Sequence, residues 1–127
     1  MDQAKYSSEV RRFILAYIPS VPHLEALLLM RAEVATAWNE ARLAGRLYIG
    51  HDIAKGLLDD LAAFGLVRTD EAGGYVYGPA NQELLDVVTE LATTYSRNVV
   101  AIASLIHSLG DRKAQRFADA FRWRKDS

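Results

Sequence analysis

One stretch interrupts an otherwise helical pattern. From Leu66 to Pro79 the chain reads LVRTDEAGGYVYGP. Two short β-type runs, Leu66-Val67-Arg68-Thr69 and Tyr75-Val76-Tyr77, flank a connector whose glycines permit the positive φ of a hairpin. On both sides of it apolar residues recur at three- and four-residue spacing. A single ribbon set among helices restricts the chain to a mainly α fold with a small β-hairpin.

The helices can be placed from their stripes and stop signals. Val10, Phe13, Ile14 and Tyr17 make an amphipathic helix over Ser8–Ile18, with Arg11 and Arg12 on its other side and Pro19 ending it. Ser20 caps a second, strongly apolar helix, HLEALLLMRAE, with Pro22 tolerated in its first turn. Thr36 is the expected cap of a third helix, AWNEARLAGRL, with Trp38, Ala41, Leu43, Ala44 and Leu47 inward. Asp52 is the expected cap of a fourth, ending near Phe64 with Gly65 as the left-handed stop residue. After Pro79, Asn81 caps one long helix to Leu109. Leu84, Val88, Leu91, Tyr95, Ile102 and Leu109 stand near heptad spacing along it, and Leu85, Ala92, Val99, Ala103 and Ile106 widen the stripe. Gly110 is expected to interrupt that helix and Asp111 to cap a last one, with Ala114, Phe117, Ala118 and Phe121 on one side.

At 127 residues, half of them apolar and 24% charged, the chain fits one folded domain. Residues 1–110 are expected to form it and residues 111–127 a basic aromatic tail. There is no cysteine, which excludes disulfide scaffolds and thiol chemistry and makes the cytoplasm the expected location. The start, MDQAKYSSEVRRF, lacks a basic region followed by an apolar run, so neither export nor a membrane span is expected. The net charge of −1 hides an asymmetry, because residues 110–127 carry six cations against three acids.

The order helix, helix, turn, helix, ribbon, helix is that of a winged helix-turn-helix with a long C-terminal helix. TAWNEARLAGRLYI, HDIAKGLLDDLAAFGLV and LVRTDEAGGYVYGP carry the likeness, and GLLDDLAAFGLV in particular resembles MarR-like bacterial transcriptional regulators. The resemblance covers residues 36–79 well and the flanking helices in outline. It implies a homodimer that binds double-stranded DNA, the second motif helix in the major groove and the wings near the backbone or minor groove. Carried over by position, the groove-facing residues are His51, Lys55, Gly56, Asp59 and Asp60, with Arg68 at the wing base. Two positions depart from the pattern. Asp60 stands where such regulators commonly have a basic residue, and Thr69-Asp70-Glu71-Ala72-Gly73-Gly74 stands where their wing carries arginines.

The acidity of the fourth helix bears directly on that implication. At 100° per residue Ile53, Ala54, Leu57, Leu58, Leu61 and Phe64 form the buried arc, leaving Lys55, Gly56, Asp59, Asp60, Ala62 and Ala63 outward. Phosphate neutralisation supplies most nonspecific affinity, which one lysine against two aspartates cannot provide. Cations elsewhere would have to: Arg42, Arg46, Arg68, Arg11, Arg12 and those of the tail, with the Tyr75 hydroxyl as a further phosphate contact. The alternative keeps the fold and makes it a protein-interaction module, its acidic face docking a protein. The tail, with Phe117, Phe121, Arg122, Trp123 and Arg124, is the candidate to dock there. A blander account leaves Asp59 and Asp60 solvated, one of them paired with Lys55. For the dimer the candidate residues are Leu84, Val88, Leu91, Tyr95, Ile102 and Leu109.

The remaining signals are structural. His23, His51 and His107 lie on separate elements without metal-ligand spacing, and no phosphate-cradling glycine loop or nucleophile elbow occurs, so no metal, cofactor or enzymatic activity is expected. Trp38, Tyr48, Tyr75 and Tyr77 are expected in core and wing packing. A membrane surface is the weakest partner for the tail, since stable anchoring needs a second signal.

Overall fold

The structure, a computed structural model, describes residues 5–126, with side chains described up to residue 120. Its elements are α1 (Ser8–Tyr17), α2 (Val21–Ala32), α3 (Glu40–Leu47), α4 (His51–Ala63), β1 (Val67–Thr69), β2 (Tyr75–Tyr77), α5 (Gln82–Arg97) and α6 (Val99–Asp126). The fold is thus mainly helical, with a two-stranded antiparallel hairpin in which Val67 faces Tyr77, Arg68 faces Val76 and Thr69 faces Tyr75. α2 is the centre. Its Leu24, Ala26, Leu27 and Met30 are fully buried; α3, α4, α6 and β2 pack against it, and α1 packs on α5 and α6.

The first two helices follow their sequence signals. The Ser7 hydroxyl accepts the Val10 amide at the start of α1, and Ser20 accepts that of His23 at the start of α2, each satisfying an amide that a helix start leaves free. Gly65 follows α4 at φ 77°, the left-handed conformation that lets the chain turn directly into β1. Gly73 takes φ 85° in the hairpin, whose turn is closed by the Asp70 carboxylate accepting the Ala72 and Gly74 amides at 3.0 and 2.6 Å.

The third helix begins later than Thr36. Asn39 caps it, accepting the Arg42 amide at 2.8 Å, and Ala37-Trp38 is extended chain. Trp38 instead exchanges both backbone hydrogen bonds with Tyr75, at 2.7 and 2.8 Å, and adds a one-residue third strand to the hairpin. A tertiary pairing on offer to an extended backbone thus overrides local helical propensity. The indole is 1% exposed, while Ala41, expected inward, faces solvent.

α4 likewise begins one residue before its expected cap. Gly50 is its N-cap, and Asp52 lies in the first turn, where a carboxylate suits the positive end of the helix. Its buried stripe is narrower than the sequence implies. Ala54, Leu57, Leu58 and Leu61 are covered by α2, α3 and β1, whereas Ile53 lies 100° round from Ala54 and stays 54% exposed. Tyr48 also departs from its expected packing role: it ends α3 in the left-handed conformation, φ 58°, and its ring is 94% exposed.

The C-terminal region differs most. No single helix spans Asn81–Leu109. α5 stops at Arg97, where Asn98 turns the chain, its amide donating to Thr94 and Tyr95 carbonyls and its side chain to the Lys5 carbonyl. The apolar residues on either side then fold onto the same body. Val88, Leu91 and Ile102 are fully buried there, Leu109 is nearly so, and Leu84 and Tyr95 are half-buried against them, so this set serves the chain's own core. Gly110, in turn, interrupts nothing and Asp111 caps nothing, because α6 runs through both to Asp126. Mid-helix glycine costs only about 1 kcal/mol, too little to break the helix by itself.

Among the described residues no single helix is long and apolar enough to cross a membrane; α1 and α2, bent 109° apart, turn their apolar sides into the core. Trp38 joins the hairpin to the α2–α3 connection and is almost wholly buried, so Trp38→Ala should lower the unfolding free energy by about 3–5 kcal/mol in urea or guanidinium titrations. Gly65→Ala should cost about 1 kcal/mol through its positive φ, with the cooperativity of unfolding preserved.

Candidate functional site

The exposed side of α4 carries His51, Lys55, Gly56, Asp59 and Asp60, all five solvent-facing as the sequence predicts. Lys55 and Asp59 are one turn apart and meet at 2.9 Å. The Tyr75 hydroxyl, brought over by the antiparallel register of β2, donates to the same carboxylate at 2.6 Å. The result is a three-membered cluster on which α4 and the hairpin converge. Hydrogen bonding from Tyr75, and then from Lys55, holds the Asp59 carboxyl below the ordinary value of 3.8. The same bonds to Asp59 push Tyr75 above 10.0 and Lys55 above 10.5.

Asp60 has a partner that no local spacing reveals. Its carboxylate lies 2.7 Å from His23 Nε2 on α2, and His23 Nδ1 lies 2.6 Å from the Ser20 hydroxyl. The order Ser, His, Asp invites comparison with a hydrolytic triad. Here, however, the Ser20 oxygen is engaged as the helix cap, and Pro22 removes one of the free amides a helix start could offer an oxyanion. The arrangement is a capping interaction extended through the imidazole into a strut between α2 and α4.

The arginines divide into held and unpaired ones. Arg46 meets Glu33 at 2.6 Å and stacks over Trp38 with its guanidinium carbon 5.7 Å from the ring centroid. Glu33 is correspondingly lowered by that hydrogen bond and Arg46 raised. Arg42 donates to the Ala37 carbonyl at 3.0 Å and also helps to lower Glu33 through its charge. Arg68 lies along the hairpin over Gly78, so close that a Cβ there would sit 2.9 Å from its Nε. Among the described residues, neither Arg42 nor Arg68 has a carboxylate within ion-pair distance.

Among the described residues, the Tyr77 hydroxyl and the Trp38 indole nitrogen are buried with no hydrogen-bond partner. Burial pushes the Tyr77 hydroxyl up, with the nearby Arg31 guanidinium acting in the opposite sense. Among the described residues no group of three or more metal-ligating side chains converges. Tail residues Phe121, Arg122, Trp123 and Arg124 have side chains outside the described residues, and Phe117 on α6 is 73% exposed.

Three features of the site escaped sequence reasoning. His23 and Asp60 are 37 residues apart, so only folding brings them together. Glu33 reaches Arg46 in the same way. Tyr48 is exposed because it must end α3 ahead of the tight turn into α4, a demand that its helix-like flanking pattern conceals.

No protein-family model matches the chain, and no curated protein or solved structure does.

Because Asp59 is lowered, its contribution to stability is complete above the ordinary 3.8 and lost as pH falls through its depressed value. Tyr75 and Lys55 are raised, so theirs is complete below 10.0 and 10.5 and lost as pH rises through their elevated values. The cluster is thus intact across the neutral range. Tyr75→Phe should move the Asp59 carboxyl upward toward its ordinary value in a carbon-detected NMR titration, with Lys55 holding it partway. An unchanged Asp59 titration would mean that the tyrosine hydroxyl does not engage it in solution.

Proposed function

We propose that α3, α4 and the hairpin form a winged helix-turn-helix and that the protein is a DNA-binding transcriptional regulator acting as a homodimer. What carries the reading is α4 itself: a helix of 13 residues, buried on one stripe, preceded by a tight turn from α3 and followed by the hairpin, with its opposite strip open. His51, Lys55 and Gly56 lead that strip, and Gly56 admits close approach of backbone to a base edge. Arg42 and Arg68 are the unpaired cations available for phosphates.

The acidity of α4 is less adverse than its composition implies. Asp59 is answered by Lys55 and Tyr75, and Asp60 by His23, so neither carboxylate projects unpartnered. The same pairs occupy Lys55, and Glu33 occupies Arg46, which leaves few cations. Binding on this reading is weak on nonspecific sequence and depends on base contacts for its affinity.

A second reading, a protein-interaction module that does not touch DNA, draws on a different observation. Tyr48 and Ile53 expose large apolar side chains at the head of α4, 94% and 54% respectively. Aromatic and aliphatic anchors beside compensated charges suit a protein surface.

Anisotropy of a labelled duplex pool separates the two. With about four phosphates neutralised per dimer, the logarithm of affinity should fall with the logarithm of salt at a slope of about −4. Asp59→Asn, which removes a negative charge and frees Lys55, should tighten binding several-fold, and Arg68→Ala should weaken it. Absence of binding at low salt and micromolar protein defeats the regulator reading and leaves the interaction module.

A further inference from the structure

We propose that the groove between α1 and α5 is a binding site for lipophilic organic cations, small molecules that join a positively charged centre to an apolar body. The proposal goes beyond the DNA-binding reading and is independent of it.

The groove has a volume of about 520 Å³, within the range of roughly 300–1,000 Å³ that takes drug-sized molecules. Its lining comes from α1, from α5 and from the Asn81 cap of α5, and nothing in it belongs to α3, α4 or the hairpin. Phe13 and Tyr17, one turn apart on α1, meet with ring centroids 5.1 Å apart and a tilt of 31°. Leu84 and Val87, half-buried on α5, complete an apolar floor. Aromatic rings lining a pocket also attract a cation, through the negative charge of their faces.

The rim selects the charge of the ligand. Glu9, Glu83, Asp86 and Glu90 stand against the single cation Arg12. Among the described residues none of the four acids forms an ion pair. Glu9 and Glu83 lie in the first turns of α1 and α5, where a carboxylate answers the helix dipole. Asp86 and Glu90 lie beyond those turns. They are one turn apart on the side of α5 that meets α1, and like charges in that relation weaken a helix. Both are nevertheless fixed by neutral donors. Gln82 Nε2 donates to Asp86 at 2.7 Å, and the Ser7 hydroxyl, itself the cap of α1, donates to Glu90 at 3.0 Å.

Hydrogen bonds of this kind orient the carboxylates and leave their charge to be met from outside. A molecule that lays its body on Phe13, Tyr17, Leu84 and Val87 and presents its cationic centre to Asp86 and Glu90 matches both parts of the groove. An anion of the same shape would meet four carboxylates with one guanidinium to set against them.

Tetraphenylphosphonium and tetraphenylborate, ions of one shape and opposite charge, provide the test. Calorimetric titration of the full chain in sodium buffer should give the phosphonium a Kd on the order of 10 μM. The borate should bind at least about tenfold more weakly, because like charges then face each other. Asp86→Asn with Glu90→Gln keeps the shape of both side chains, and far-UV circular dichroism checks the fold. That double substitution should weaken the phosphonium about tenfold and narrow its advantage over the borate. In proton–nitrogen correlation spectra the shifts caused by the phosphonium should concentrate on α1 and α5. No phosphonium binding up to about 1 mM, borate binding as tight as phosphonium, or a double substitution without effect overturns the proposal. Shifts centred on α4 or the hairpin overturn it too, since they place the ligand elsewhere. A groove closed by a second copy leaves the phosphonium no site and belongs with the first of these outcomes. None of them bears on DNA binding, because the groove shares no residue with α4 or the hairpin.

Discussion

The backbone pair between Trp38 and Tyr75 is the joint on which the rest of the arrangement depends. Two short hydrogen bonds make the segment before α3 a strand of the hairpin, and the buried indole fixes that strand against the core. Because the register is set there, Tyr75 is the residue whose hydroxyl meets Asp59, and the side chain opposite it is Thr69. A one-residue slip would turn Tyr75 to the other face and undo the cluster on α4. Trp38 also receives the Arg46 guanidinium, which Glu33 holds from beneath, so α3 is tied to both the end of α2 and the hairpin.

Charge on α4 illustrates how far composition is from electrostatics. Counted along the helix, three aspartates outweigh one lysine; in space Asp59 meets Lys55 one turn away and Tyr75 on the hairpin, Asp60 meets His23 on α2, and Asp52 sits at the positive end of the helix. These are exposed contacts, screened by water and each of small energetic weight. Their consequence is geometric: they hold side chains in place on an open helix face and decide which cations stay available. On α1 and α5, Glu9, Glu83, Asp86 and Glu90 form no ion pair among the described residues.

The helical C-terminal region shows a regular pattern put to a different use. Apolar residues at heptad spacing from Leu84 to Leu109 would form one seam on a straight helix. Asn98 divides them, and both halves close over α1 and α2 instead. Past Leu109 the helix continues with Gly110 to Ala120 exposed, because backbone hydrogen bonds within it need no partner element. Arg112, Lys113 and Arg116 are thereby exposed.

Much of this was legible locally. The stripes of α1 and α2, their serine caps, the Gly65 stop, the hairpin with its register-permitting glycines and the exposure of His51, Lys55, Gly56, Asp59 and Asp60 all follow from propensity, periodicity and turn chemistry, which act within a few residues. Lys55 and Asp59 meet for the same reason, being neighbours on one helix face. The misplaced features are those with remote causes. Trp38 left its expected helix for a strand partner 37 positions on, Tyr48 was turned out by the junction of two helices, and Ile53 was left bare because the elements packed on α4 cover only the stripe from Ala54 to Leu61. His23 with Asp60, and Arg46 with Glu33, depend on how α2 sits against its neighbours. Amino-acid order by itself determined which segments are helix or hairpin and which faces are apolar. Tertiary packing alone decided which charges are answered, where the long apolar pattern breaks and which surface remains open, since those outcomes depend on contacts between groups that the chain holds far apart until it folds.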